Sequence, residues 1–213
     1  MKSDVVKLTN AGAGIDAALQ AASASALYRG LNRKDAIRVR LLAEEMLGMF
    51  RQITGETEAD FWVESEENRF ELHLTAHPLV TGKMRKELLK AATSGKNEAS
   101  RGFMGKLRDL IDRALAAEEI GDTSDLFLQG LLMPVSAEME LMEPAVYSAA
   151  IGVMSWSMQC YKNAVAEESA HSARAKTEWD ELEKSIVANI ADEVKVAVSG
   201  NEVEMTVYKS FEH

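Results

Sequence analysis

Apolar positions along this chain recur at two spacings, and each change of spacing marks a new element. Val39, Leu42, Met46, Phe50 and Ile53 follow one another at three- and four-residue intervals. That sets them on one face of a helix, which turns once in about 3.6 residues. The stripe predicts a helix from Asn32 to about Ile53, ended by Gly55. Asn32 caps it, because its side-chain oxygen can accept an otherwise unpaired backbone N–H of the first turn. Upstream, alanine-rich Ile15–Tyr28 reads as a helix stopped at Gly30, and Asp4–Leu8 as a short first strand ended by Asn10.

Elsewhere the apolar residues alternate. Phe61 and Val63 alternate with Trp62 and Glu64, and after a turn at Glu66–Arg69, Phe70, Leu72 and Leu74 alternate with Glu71, His73 and Thr75. Near the C-terminus, Val194, Val196 and Val198 alternate with Lys195, Ala197 and Ser199; Gly200-Asn201 turns the chain, and Val203, Met205 and Val207 answer. Alternation of this kind predicts two hairpins of an antiparallel sheet with one face buried and the other wet or lightly covered.

Between the hairpins the sequence reads as helical. Leu79, Met84, Leu88 and Leu89 predict a helix broken at Ser94-Gly95, and Phe103, Leu107, Leu110, Ile111, Ala114 and Leu115 a second. From about residue 120 to 175 the chain is rich in methionine (Met133, Met139, Met142, Met154, Met158), with Pro134 and Pro144 dividing it into short helices. Trp179, Leu182, Ile186, Val187 and Ile190 predict one last helix. The expected fold is an α+β two-layer sandwich, one domain over residues 1–213. Its mostly antiparallel sheet comes from the two hairpins and the N-terminal strand, helices cover the apolar face, and a Met-rich helical insertion lies at about 120–175.

Composition narrows the partners. A net charge of −10 opposes polyanions, since phosphate contacts need clustered Lys and Arg. The densest basic stretch, Lys83 to Lys90, is interleaved with Met84, Glu87, Leu88 and Leu89 and reads as a solvated helix face. No nucleic-acid partner is expected. The longest uncharged stretch, Pro144–Tyr161, contains Ser148, Gly152, Ser155, Ser157 and Gln159, and falls short of the ~20 apolar residues a membrane span needs. Met1-Lys2-Ser3-Asp4 leads into no apolar run, so neither a membrane segment nor a secretion signal is expected, and a cytoplasmic location follows. Cys160 is the single cysteine, which rules out an internal disulfide.

The order strand, helices, hairpin, helices, hairpin, together with the segment ASASALYRGLNRKDAIRVRLLAEEMLGMF ahead of the Phe61–Leu74 hairpin, resembles the Bergerat-type ATPase domain of histidine kinases (the GHKL superfamily). Within that superfamily it is similar to the branch containing anti-sigma-factor serine kinases. The resemblance implies a Bergerat-like sandwich. It also implies a helix on which a glutamate is followed four residues later by an asparagine that helps hold Mg²⁺ against nucleotide phosphates. Glu45 takes the glutamate position, but Met49 stands four residues on; shifting to Glu44 places Gly48 there. Neither offers the hard oxygen that Mg²⁺ requires. The family's adenine-binding aspartate and spaced glycines are replaced by Thr75-Ala76-His77-Pro78-Leu79. Its glycine-rich phosphate turn has an echo in Arg101-Gly102-Phe103-Met104-Gly105-Lys106, placed where helix N-terminal N–H groups could meet phosphate.

The remaining chemistry-bearing residues have plainer readings. Glu45 without a metal partner reads as a charged residue on the solvated side of its helix. His77 reads as a loop residue and His73 as an outward strand residue, while Cys160 reads as a small buried hydrophobe. The pairs Glu66-Glu67, Glu118-Glu119 and Glu167-Glu168 read as solvent-facing charge, and the methionines as helix filling unless Met139, Met142, Met154 and Met158 lie exposed together.

The expectation is therefore a non-catalytic regulatory or protein-binding domain on a degenerate ATPase-like scaffold, acting as a homodimer or on a protein partner, with no cofactor and no metal ligands assigned. The alternative is an ATP-binding serine/threonine kinase or ATPase of the anti-sigma type, with Glu45 as base and Gly102, Gly105 and Lys106 beside the phosphates of ATP and Mg²⁺. A third reading is an α+β interaction domain with no ancestral link to the ATPases.

Overall fold

The computed structural model describes residues 1–9, 11–54, 58–77, 104–105, 107, 111, 153–169, 172–199 and 202–212. Six strands form one sheet: β1 (Val6–Leu8), β2 (Ala59–Glu66), β3 (Arg69–Ala76), β4 (Val153–Ser157), β5 (Glu193–Ser199) and β6 (Glu202–Ser210). Their order is β1-β2-β3-β6-β5-β4, and every neighbouring pair is antiparallel. The two hairpins expected from the alternation, β2–β3 and β5–β6, meet at the centre, where Leu72 pairs with Val207 and Leu74 with Met205. The Glu66–Arg69 turn places Glu67 at a positive φ of 48°.

Helices α1 (Ile15–Tyr28) and α2 (Arg33–Thr54) follow β1, and α3 (Met158–Ser169), α4 (Ala173–Lys184) and α5 (Ile186–Ile190) run between β4 and β5. α1 packs on β1 and β2, α2 on β6, and α3 on β4 and β5; α4 and α5 pack on those helices. This is the α+β sandwich the patterning predicts. The core sits between the layers, where Val39, Leu42, Met46 and Phe50 of α2 meet Phe61, Val63, Phe70, Leu72, Leu74, Val194, Val196, Val203, Met205 and Val207, all buried. Leu107 and Ile111 join the same core. Among the described residues no helix is long and apolar enough to cross a membrane.

The caps follow from local chemistry. Asn32 Oδ1 accepts the Asp35 N–H at 3.1 Å, as its position before α2 predicts. Gly14, at the start of α1, has φ +88°, and a Cβ there would stand 2.2 Å from the carbonyl oxygen of Lys7. Only glycine accepts both the left-handed backbone and the contact with β1. Buried Ser65 ties three segments together: its N–H donates to the Met1 carbonyl at 2.7 Å, and Arg29, just beyond α1, donates to its hydroxyl at 3.0 Å and to its carbonyl.

Two expectations need correction. Residues 153–157, read as part of a helical stretch, form the edge strand β4 paired with β5. The chain turns helical directly afterwards because Ser157 Oγ accepts the Cys160 N–H at 3.3 Å and Glu193 accepts that of Gln159 at 3.1 Å. A carboxylate there also suits the positive end of the helix. The single helix expected around Trp179–Ile190 is two, α4 and α5, divided at extended Ser185, whose side chain caps α5 through the Ala188 N–H.

Candidate functional site

Strand alternation decides what stands on the sheet face turned away from the helices. The register pairs Trp62 with His73, His73 with Thr206 and Thr206 with Lys195, so one row crosses four strands on that outer face. Two rows flank it: Glu64, Glu71, Tyr208 and Glu193 on one side, and Asp60, Thr75, Glu204 and Ala197 on the other. The carboxylates are part-exposed, with Asp60, Glu64, Glu71 and Glu204 showing 42–44% of their side-chain surface. Lys2, Lys7 and Lys195 share this face, Lys2 paired with Glu64 and Lys7 with Asp60 at 3.1 Å each, so carboxylates outnumber cations there around the part-exposed rings of Trp62 and Tyr208.

His73 sits at the centre. Its ring stacks on the Trp62 indole with centroids 4.8 Å apart and planes 3° from parallel, and only 12% of its side chain is exposed. Nδ1 lies 3.3 Å from Thr206 Oγ1 and 3.7 Å from Glu204 Oε1. Nε2 is shut off from solvent and makes no hydrogen bond; Glu71 Oε2 is 3.4 Å away but outside hydrogen-bond geometry. The Trp62 indole N–H donates to Glu64 at 2.9 Å, and Lys2 Nζ stands 4.5 Å above the indole and 3.1 Å from the same carboxylate. Those donors, the indole first and Lys2 second, hold the Glu64 carboxyl below its ordinary range against a smaller opposing effect of burial. Burial pushes the Tyr208 hydroxyl up, and the negative charges of Glu71, Glu204 and Glu193 add to it. Lys195 Nζ lies 5.3 Å above the Tyr208 ring.

Thr206 is 5% exposed, too enclosed to act as a nucleophile on an incoming substrate. The row lies within the sheet, whose ladder uses the neighbouring backbone N–H groups, so they are not free to stabilise an oxyanion. Among the described residues no three His, Cys, Asp or Glu side chains converge as a metal site would require.

The residues singled out from the sequence fall elsewhere. Glu45 is half-buried on α2, not fully on its solvated side; Met49 is 7% exposed and part of the core, while Gly48 is exposed with open space where a side chain would stand. Gly105 is helical and buried; Gly102 and Lys106 lie outside the described residues. His77 follows β3, exposed, with Nε2 3.5 Å from Glu202. Cys160 is a half-buried free thiol in α3 rather than a buried hydrophobe. Glu66, Glu67 and Glu167 are exposed and Glu168 half-buried; Glu118 and Glu119 lie outside the described residues, as do Met139 and Met142. Met158 is buried in α3, which is helix filling, whereas Met154 belongs to β4. The Trp62–His73 centre was legible only as two polar-face positions on facing strands; their cross-strand pairing, which a hairpin turn fixes, was the available signal. No family model, curated protein or solved structure matches the chain.

Proposed function

We propose that this chain is a non-catalytic regulatory or protein-binding domain that engages its partner through the outer face of the sheet. The observation that carries this reading is the Trp62–His73 stack ringed by part-exposed Glu64, Glu71 and Glu204. Aromatic side chains are enriched at the centres of protein interfaces, with polar and charged groups at their rims. A likeness to the histidine-kinase-type ATPases over Ala22–Ala76 would give the scaffold a source without giving it a reaction, although β4 adds a strand that the expected order of elements lacked. Met49 argues against retained ATP chemistry. The side chain that would have to reach a Mg²⁺ beside Glu45 is packed into the core, and a thioether is too soft a ligand for that ion.

Calorimetric titration with ATP and Mg²⁺ tests the reading. No binding heat is expected. Micromolar binding, with ATP turnover that Glu45→Ala abolishes while sparing the fold, would make the chain a nucleotide-dependent enzyme of the anti-sigma kinase type instead.

A further inference from the structure

The chain carries a second unusual surface, opposite in charge to the first and on the opposite side of the molecule. Leu27 and Tyr28 in the last turn of α1 and Ile37 near the start of α2 are 63%, 73% and 54% exposed. Around them Arg33, Lys34 and Arg40 are also exposed. Residues 27–43 hold five basic side chains (Arg29, Arg33, Lys34, Arg38, Arg40) against Asp35 alone, in a chain of net charge −10. Arg29 is held by Ser65 and Arg38 pairs with Asp35 at 2.9 Å, which leaves Arg33, Lys34 and Arg40 as the cations this corner presents. Positions 33, 37 and 40 lie opposite the buried face of α2, so the corner points away from the sheet.

We infer that this basic, apolar corner docks on the acidic outer sheet face of a second copy of the chain. The inference rests on the outer face being a binding surface, as proposed above, and names its occupant. On the outer face Lys2 and Lys7 take up Glu64 and Asp60, which leaves Glu71 and Glu204, among the described residues, as carboxylates without a Lys or Arg partner there. Arg33, Lys34 and Arg40 meet Glu71 and Glu204, and Leu27, Tyr28 and Ile37 meet the rings of Trp62 and Tyr208. Attraction between such patches also speeds encounter. An anionic lipid surface would attract the corner too, but it offers no counterpart to Leu27, Tyr28 and Ile37 such as the part-exposed rings of the sheet face.

Geometry fixes the kind of assembly. The corner is on the helix side and the acidic face on the sheet side, so two copies cannot satisfy both contacts reciprocally. The contact is head-to-tail, and without a closing rotation it adds copies in a row rather than stopping at a dimer.

Sedimentation velocity of the full chain across a concentration series tests this, with circular dichroism verifying that each variant folds. At low salt the mean mass is expected to rise steadily with concentration. It should return to that of one chain near 1 M salt, where the screening length falls to about 3 Å. The double variants Lys34→Glu/Arg40→Glu and Glu71→Lys/Glu204→Lys should each associate at least tenfold more weakly alone. Mixed in equal amounts they should recover growth, because each reversed patch then meets its complement on the other variant. A chain that stays monomeric at low salt, one that stops at a dimer, or growth that both variants leave unchanged overturns the inference. So does co-sedimentation with anionic phosphatidylserine vesicles, lost in Lys34→Glu/Arg40→Glu, without growth in mass. None of these results bears on the nucleotide titration, so the functional reading and this inference fail separately.

Discussion

The indole of Trp62 and the imidazole of His73 lie parallel, 4.8 Å apart, on adjacent strands of the first hairpin, and the indole N–H is spent on Glu64 rather than on water. One residue therefore does two separable things: its ring covers the histidine and its N–H holds a carboxylate.

Trp62→Phe keeps a ring and removes the donor. Cross-strand aromatic pairs contribute roughly 0.2–1 kcal/mol, so most of that should survive in Trp62→Phe and be lost in Trp62→Ala. The N–H is the main cause of the lowered Glu64 carboxyl pKa, so both variants should raise it. A depressed carboxyl stabilises the fold above its unfolded value, and that contribution is lost as pH falls through the folded one. Urea midpoints at neutral pH and in acid, with the Glu64 titration followed by NMR, check this. An unchanged Glu64 titration in Trp62→Phe would remove the indole from the account.

Gly14 and Gly30 both have positive φ, at +88° and +77°, but only Gly14 is crowded. Placing a side chain in the left-handed region costs roughly 1–2 kcal/mol, which is all that Gly30→Ala should lose. Gly14→Ala must in addition move a Cβ off the Lys7 carbonyl at 2.2 Å, parting α1 from β1. Its loss should exceed that of Gly30→Ala by at least about 1 kcal/mol in denaturant unfolding. Equal losses would mean the β1–α1 junction relaxes freely.

The period-two runs and the α2 stripe were readable because each element has one buried face and a turn residue at its end. β4 was not. Met154 and Trp156 do alternate with Ser155 and Ser157, but the run is only five residues long, and it follows the uncharged, methionine-bearing stretch from Pro144. Short apolar runs do not separate strand from helix by period. The site was hidden for another reason. The first hairpin pairs Trp62 with His73, but Glu204 and Thr206 join them only through the β3–β6 pairing, across more than 130 residues of chain, and no local pattern encodes which hairpin edge meets which. Met49 was not part of the apolar stripe read from the sequence, yet it lies in the core with Met46 and Phe50, because α2 is buried over a wider face than that stripe marks.

That place makes Met49→Asn informative. If the α2 face were a dormant nucleotide site, restoring the amide would bring back Mg²⁺-ATP binding. With Met49 only 7% exposed, the substitution instead buries a polar group and removes apolar contact. An unsatisfied buried amide costs about 1–3 kcal/mol, with the lost apolar burial added to it. The expected outcome is a lowered melting temperature that ATP and Mg²⁺ do not restore. Stabilisation by the nucleotide in this variant would count against the non-catalytic reading.

Tyr208 supplies a test of the outer face that needs no partner. Burial, then Glu71, with Glu204 and Glu193 behind it, raise its hydroxyl above the ordinary value of 10.0. The folded state therefore keeps its proton at a pH where the unfolded chain has released it, and unfolding is favoured as pH climbs above that ordinary value. Replacing Glu71 by Gln should lower the Tyr208 titration midpoint, followed by its phenolate absorbance against a Tyr208→Phe blank. It should also flatten the alkaline loss of stability. Since the same substitution removes one of the carboxylates that face an incoming cation, a Tyr208 midpoint unmoved by Glu71→Gln would mean that the ring does not feel the field from which the binding role of this face is argued.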